Sequence, residues 1–122
     1  MDIKIIDRTF SVCKLENIKR VDFDDEYCFL SKTDEELSLV CDTQSVPPNT
    51  TEREDGWRAF RIEGVLDFTL IGILSEISGI LAKAEIGIFA ISTYNTDYIL
   101  VKEENFEKAL DALAAEGFKS FI

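Results

Sequence analysis

No histidine occurs in the 122 residues. That removes the commonest general base, the commonest zinc ligand and the usual near-neutral pH switch together. A Ser-His-Asp or Cys-His nucleophile therefore cannot be assembled from this chain alone. Cysteine is scarce and odd in number: Cys13, Cys28 and Cys41 stand far apart, with no CxxC pair. Each lies in an apolar or strand-like run, so they read first as buried reduced thiols, with a metal or redox site as the alternative. Basic charge is also short, with 13 Lys and Arg against 24 Asp and Glu and a net charge of −11. The longest basic pair, Lys19-Arg20, is followed by Asp22, Asp24, Asp25 and Glu26. Nucleic-acid binding needs a basic face that displaces counterions from phosphates, so no nucleic acid and no anionic membrane is expected as a partner. No uncharged apolar run reaches the ~18 residues of a membrane span, since Val65–Ala82 is broken by Asp67 and Glu76. The start, Met1 to Asp7, lacks the basic segment and apolar run of a secretory signal. The expected location is cytoplasmic.

What is present suits one globular protein of modest size: 46% apolar and 30% charged residues. Both prolines fall in Thr43–Gly56, a polar, turn-rich stretch that reads as an exposed connection. It divides the chain into two expected parts, residues 1–55 and 56–122. Ahead of it, Arg8–Leu15, Tyr27–Lys32 and Leu37–Cys41 read as strands, and Asp22–Glu26 as a solvated acidic loop. The EF-hand spacing and its glycine are missing from that loop, so no metal is assigned to it.

The second part alternates element types. Trp57–Ile62 reads as a strand. Leu70, Ile73, Leu74, Ile77, Ile80, Leu81 and Ala84 recur at three and four residues, predicting a helix with one broad buried face. Asp67 or Thr69 would cap its start. Ile86–Ser92 is a β-branched run, Thr93–Asp97 a turn region and Tyr98–Val101 the returning strand. Phe106, Ala109, Leu110, Leu113 and Ala114 mark a second helix, which Gly117 would end in the left-handed conformation, and Phe118–Ile122 closes the chain as a strand. The order β-α-β-β-α-β is the split arrangement of the α+β, ferredoxin-like fold. Trp57, large and placed directly after the connection, is expected to anchor the two parts.

Several of these segments resemble the ACT-domain family, in particular the branch related to the CASTOR arginine sensors. The resemblance rests on Trp57–Phe68, on Leu70-Ile71-Gly72-Ile73-Leu74 and above all on Ile86–Val101. Within the last, Ser92-Thr93-Tyr94-Asn95-Thr96-Asp97-Tyr98-Ile99-Leu100-Val101 is a long and specific match. In the first part, Phe29–Thr33 and Leu37–Cys41 are similar to an incomplete, strand-rich ACT-like unit. The resemblance implies a regulatory module and no enzyme, binding an amino acid or other small molecule where two ACT units meet, with no cofactor. It also implies a protein target not named by the sequence, and a homodimer where one chain does not supply both units.

Carried over by position, the ligand-binding residues would be Val65, Leu66, Asp67, Ile71 and Gly72 around the helix start, with Gly87, Ile88, Thr93, Tyr94 and Asp97 from the strands and turn. Their chemistry suits a zwitterion: helix N-terminal N–H groups receive a carboxylate, Gly72 allows close approach, and Asp97 receives an ammonium. Asp67 can act as a second acidic partner. Each residue also has a purely structural reading. Asp67 can simply cap the helix, Asp97 can close its turn, Gly72 can serve packing, Gly87 can relax a junction, and Tyr94 can be a solvent-facing turn residue. An interaction module with a vestigial pocket and a carboxylate enzyme using Asp67 and Asp97 stand as competing readings.

Overall fold

The computed structural model describes residues 1–63 and 72–122. Among them, in chain order, lie β1 (Asp2–Leu15), β2 (Cys28–Lys32), β3 (Leu37–Asp42), β4 (Thr50–Ile62), α1 (Ile73–Lys83), β5 (Phe89–Ser92), β6 (Asp97–Lys102), α2 (Phe106–Ala115) and β7 (Lys119–Phe121). Short 3-10 turns occupy Thr43–Ser45 and Glu103–Asn105. The chain forms two compact units. One joins Met1–Asp7 to Arg58–Ile122; the other is Arg8–Trp57.

In the larger unit the strand order is β7-β1-β4-β6-β5. β7 runs parallel to β1, with Asp2 opposite Lys119 and Lys4 opposite Phe121, and β5 runs antiparallel to β6, with Ser92 opposite Asp97. The helices supply the buried stripe their spacing predicts: Ile77 and Leu81 from α1, and Phe106, Ala109 and Leu113 from α2. These pack with Phe60, Ile62, Ile99 and Val101 from the strands into one core. This is the expected α+β, ferredoxin-like ACT arrangement, with one addition. The first residues of β1 are inserted between β7 and β4, and they belong there because Ile3 and Ile6 are buried to 1% and 2% exposure.

Three boundaries differ from expectation. The polar stretch Thr43–Gly56 is not one long connection, because Thr50 onward is strand β4. Thr51–Asp55 is exposed along that strand, so a paired backbone carries the polar side chains of a loop. Its partner is β1: Glu63 N donates to Asp2 O at 2.9 Å, and at the far end Glu16 N donates to Asn49 O at 3.4 Å, so the two strands run antiparallel. The β-branched run from Ile86 becomes strand only at Phe89. The helix expected from Leu70 begins at Ile73; Leu70 itself lies outside the described residues.

Both helices end alike. Past α2, Gly117 takes φ 94°, with Phe118 N donating to Leu113 O at 3.1 Å. Past α1 the same left-handed position is held by Glu85 at φ 61°, with Ile86 N donating to Leu81 O at 2.9 Å. The six-to-one bond satisfies a carbonyl that the helix end would otherwise leave open.

The smaller unit is a sheet in the order β2-β3-β1-β4. Its register pairs Cys28 with Cys41 across β2 and β3, and Cys13 with Leu39 across β1 and β3. Cys13, Leu15, Leu39 and Cys41 form its core on one face, and Val21 and Val46 from the loops pack against it. The acidic run is only partly solvated. Asp25 is 10% exposed and receives Arg8 Nη1 at 2.6 Å and Ser45 Oγ at 3.0 Å. Burial pushes the Asp25 carboxyl up. The hydrogen bonds from Arg8 and Ser45, the Arg8 charge and the Tyr27 backbone N–H outweigh it and hold the group below the usual carboxylate range.

Candidate functional site

The β5–β6 turn is the best-built polar feature of the larger unit. Thr93 N donates to Thr96 O at 2.8 Å, and Thr93 Oγ1 donates to the same carbonyl at 3.0 Å. Thr93 Oγ1 in turn receives Thr96 N at 3.4 Å, so one hydroxyl closes the turn from both sides. Thr96 is a buried polar residue, at 8% exposure, and its hydroxyl donates to Ile62 O at 2.8 Å. That bond spans 34 residues of chain and fixes the turn to the end of β4. Next to it Arg61, on β4, donates to Tyr98 Oη at 3.1 Å and to Glu63 Oε2 at 3.1 Å. The guanidinium carbon also lies 5.9 Å from the Tyr98 ring centre.

On this platform Asp97 is half-buried and accepts Ser92 Oγ at 2.5 Å across the β5–β6 pair. One carboxylate oxygen is thereby oriented, which leaves the other available to a donor from outside. Strand alternation puts Asp97 on the face of Ile99, which belongs to the helix-packed core. Tyr94 stands at the turn with 86% exposure. A turn closed by hydrogen bonds and anchored to a central strand holds its carboxylate in place.

The other expected positions divide into three groups. Val65, Leu66, Asp67 and Ile71 lie outside the described residues, as does Thr69 with its capping role. Gly72 precedes α1 with φ 91°, and among the described residues nothing lies within 4 Å of where its Cβ would be. The left-handed backbone alone favours glycine here. Among the described residues no side chain caps the helix start, and Glu76 N donates to Gly72 O at 2.8 Å. Gly87 and Ile88 follow the far end of α1, separated from Gly72 by its 11 residues, about 16 Å of helix. The structure thus brings Thr93, Tyr94 and Asp97 onto one turn, and sets Gly87 and Ile88 at the opposite end of β5. Ile88 packs against the core. Thr96, Ser92, Arg61 and Tyr98 were not singled out by sequence reasoning. Only the Thr-x-x-Thr spacing of Thr93 and Thr96 carried a local signal, that of a hydroxyl-closed turn.

The smaller unit has an open depression of about 300 Å³ lined by Val12, Lys14, Ser38, Glu36 and Arg53 among others. Its cations are already engaged, Lys14 with Glu52 at 3.8 Å and Arg53 with Asp55 at 3.0 Å. Among the described residues no group of three His, Cys, Asp or Glu side chains is placed to hold a metal ion. No helix of the described residues is long and apolar enough to cross a membrane.

The family model described as "ACT domain" matches residues 52–115, which take in the core, the clasped turn and both helices. This chain belongs to the ACT family. Over 84 residues the ACT protein is 37% identical to the human "Cytosolic arginine sensor for mTORC1 subunit 1", and the rat sequence of the same description is 36% identical. The human match takes in 63% of this chain but only 26% of the sensor, so the two are comparable over about a quarter of the relative's length. Among solved structures, protein Atu0741 from Agobacterium tumefaciens is similar along nearly the whole chain. It has a TM-score of 0.88 and 30% identity, covering 98% of this chain and 91% of that one. E. coli aspartokinase III, solved with aspartate and ADP, has a TM-score of 0.64 at 14% identity over 93% of this chain and 32% of that one. At that identity it shows the shared fold.

Proposed function

We propose that this ACT protein is a non-catalytic regulatory module that binds a free amino acid at the end of the sheet carrying the β5–β6 turn. The observation that carries the reading is the Asp97 carboxylate, oriented by Ser92 on a turn that Thr96 anchors to β4. In this reading the ligand ammonium, or a cationic side chain, pairs with Asp97. The ligand carboxylate is received by the α1 start, where the helix dipole favours negative charge. We assign Val65, Leu66, Asp67 and Ile71 to the same site as Gly72 by their place in the chain alone, with Asp67 as the second acidic partner of a basic ligand. Arginine is the first candidate, because the curated relatives over the matched region are named as arginine sensors.

Gly87 and Ile88 do not reach the turn of their own unit. We assign them to the second wall of a site shared between two ACT units, where the family's ligands are held. The strand-rich residues 1–55 are proposed as an incomplete ACT-like unit; they contain neither Gly87 nor Ile88, so in this reading the second wall comes from a second copy of the chain. Binding then acts by preferring one arrangement of units over another, since a ligand equal in both shifts nothing. The output passes to a protein target.

The test is a thermal-shift screen of the full chain against the twenty amino acids and common nucleotides, repeated with Asp97→Ala. A ligand at about a hundred times its Kd adds about 2.7 kcal/mol. In a chain of this size that raises Tm by on the order of 10 °C. The reading predicts a selective rise with one amino-acid class that disappears in Asp97→Ala. No rise with any compound would replace it with a protein-interaction module.

A further inference from the structure

We propose that Cys28 and Cys41 are a disulfide-forming thiol pair that staples edge strand β2 to β3 when the protein meets a two-electron oxidant. All three cysteines are free and lie on one face of the smaller sheet, in its core cluster, with Cys41 between Cys28 on β2 and Cys13 on β1. The register separates the two possible pairings. Cys28 is directly opposite Cys41 in an antiparallel pair, where Cα atoms are about 4.5–5.5 Å apart. A disulfide spans Cα separations of about 4.4–6.8 Å, so this directly opposed pair falls within its reach.

Cys13 is opposite Leu39 instead, so it meets Cys41 along the diagonal, where Cα atoms stand about 7–8 Å apart. Bridging that distance requires backbone movement in a core strand. Cys13 and Cys41 nevertheless perturb each other, the Cys41 thiol being pushed up beside Cys13 while the Cys13 thiol is lowered. Access falls to the right partner: Cys28 is half-buried on an edge strand, whereas Cys13 and Cys41 are buried. Burial and the nearby Asp25 and Asp22 carboxylates push the Cys28 thiol up, so little of it is thiolate at neutral pH and a strong oxidant is needed in the test.

With an azodicarboxamide as oxidant the chemistry balances. The Cys28 sulfur adds across the N=N bond; the Cys41 sulfur then attacks the Cys28 sulfur, the S–N bond breaks, and the hydrazine leaves with two electrons and both thiol protons. The test treats the folded full chain with diamide and reads its intact mass, its non-reducing tryptic map and its Tm. The three cysteines fall in separate tryptic peptides, residues 9–14, 21–32 and 33–53. The expected product is a monomer lighter by about 2 Da, with peptides 21–32 and 33–53 linked and Tm raised reversibly by dithiothreitol. Cys13→Ala retains that product, and Cys28→Ala, a substitution at the sheet edge, loses it. A link involving Cys13, a linked dimer, or an unchanged mass with three thiols still titrating under denaturant would each overturn the proposal.

Discussion

Arg8 and Asp25 meet at 2.6 Å, with Asp42 at 3.4 Å and the Tyr27 ring 5.2 Å from the guanidinium carbon. The pair ties the loop carrying Asp25 to β1, so the carboxylate is a folding group as well as a surface charge. Its folded pKa is depressed, and a depressed carboxylate stabilises the fold above its unfolded pKa, near 3.9, and loses that contribution as pH falls through the folded value. Asp25→Asn is therefore expected to lower the urea midpoint at pH 7, with the gap to the parent chain narrowing below about pH 4. Urea melts of the two proteins across pH 2.5–7 check this, and a gap independent of pH would contradict it. Thr96 acts through a different bond. Thr96→Val keeps the shape but leaves the Ile62 carbonyl without that donor, at an expected cost of about 1–2 kcal/mol. Thr96→Ser retains the hydroxyl and is expected to recover most of it in the same melts.

At the level of elements, the two helix ends make a controlled comparison. Both use the six-to-one bond, but Gly117 holds the left-handed position without a Cβ and Glu85 holds it with one. Glu85→Gly is expected to stabilise the protein by about 0.5–1 kcal/mol, read as a higher Tm, because the strain at this position exceeds the added chain entropy. The helices themselves were legible in sequence, since Ile73, Leu74, Ile77, Ile80 and Leu81 repeat at the helical period and the core receives that stripe. The Gly117 stop was legible for the same local reason. Of strand β4 the half Trp57–Ile62 was legible and the first half was not, because Thr50–Gly56 is made of turn-forming and charged residues. Its strand state comes from pairing with β1, a contact outside any local window. The start of β1 was missed likewise, as its partner β7 lies at the other end of the chain. At the candidate site, Thr93, Tyr94 and Asp97 were readable as a turn motif. Thr96 was not readable as an anchor, because its partner is 34 residues away.

Across the whole molecule, a net charge of −11 and the absence of histidine leave carboxylates as the dominant chemistry. A surface of that sign attracts cations and repels nucleic acid, in keeping with an amino-acid ligand that presents an ammonium. The ACT family, the clasped turn and the start of α1 at the same end of the sheet lead to one central claim: an amino acid binds beside Asp97. The most direct measurement is a titration of isotope-labelled full chain with L-arginine, and with each other amino acid that raises Tm, followed by amide chemical shifts. The account predicts saturable shifts concentrated at Gly72 and at Thr93–Asp97, absent in Asp97→Ala although that variant remains folded. Shifts confined to residues 8–57, or a spectrum unmoved by every amino acid, would contradict it.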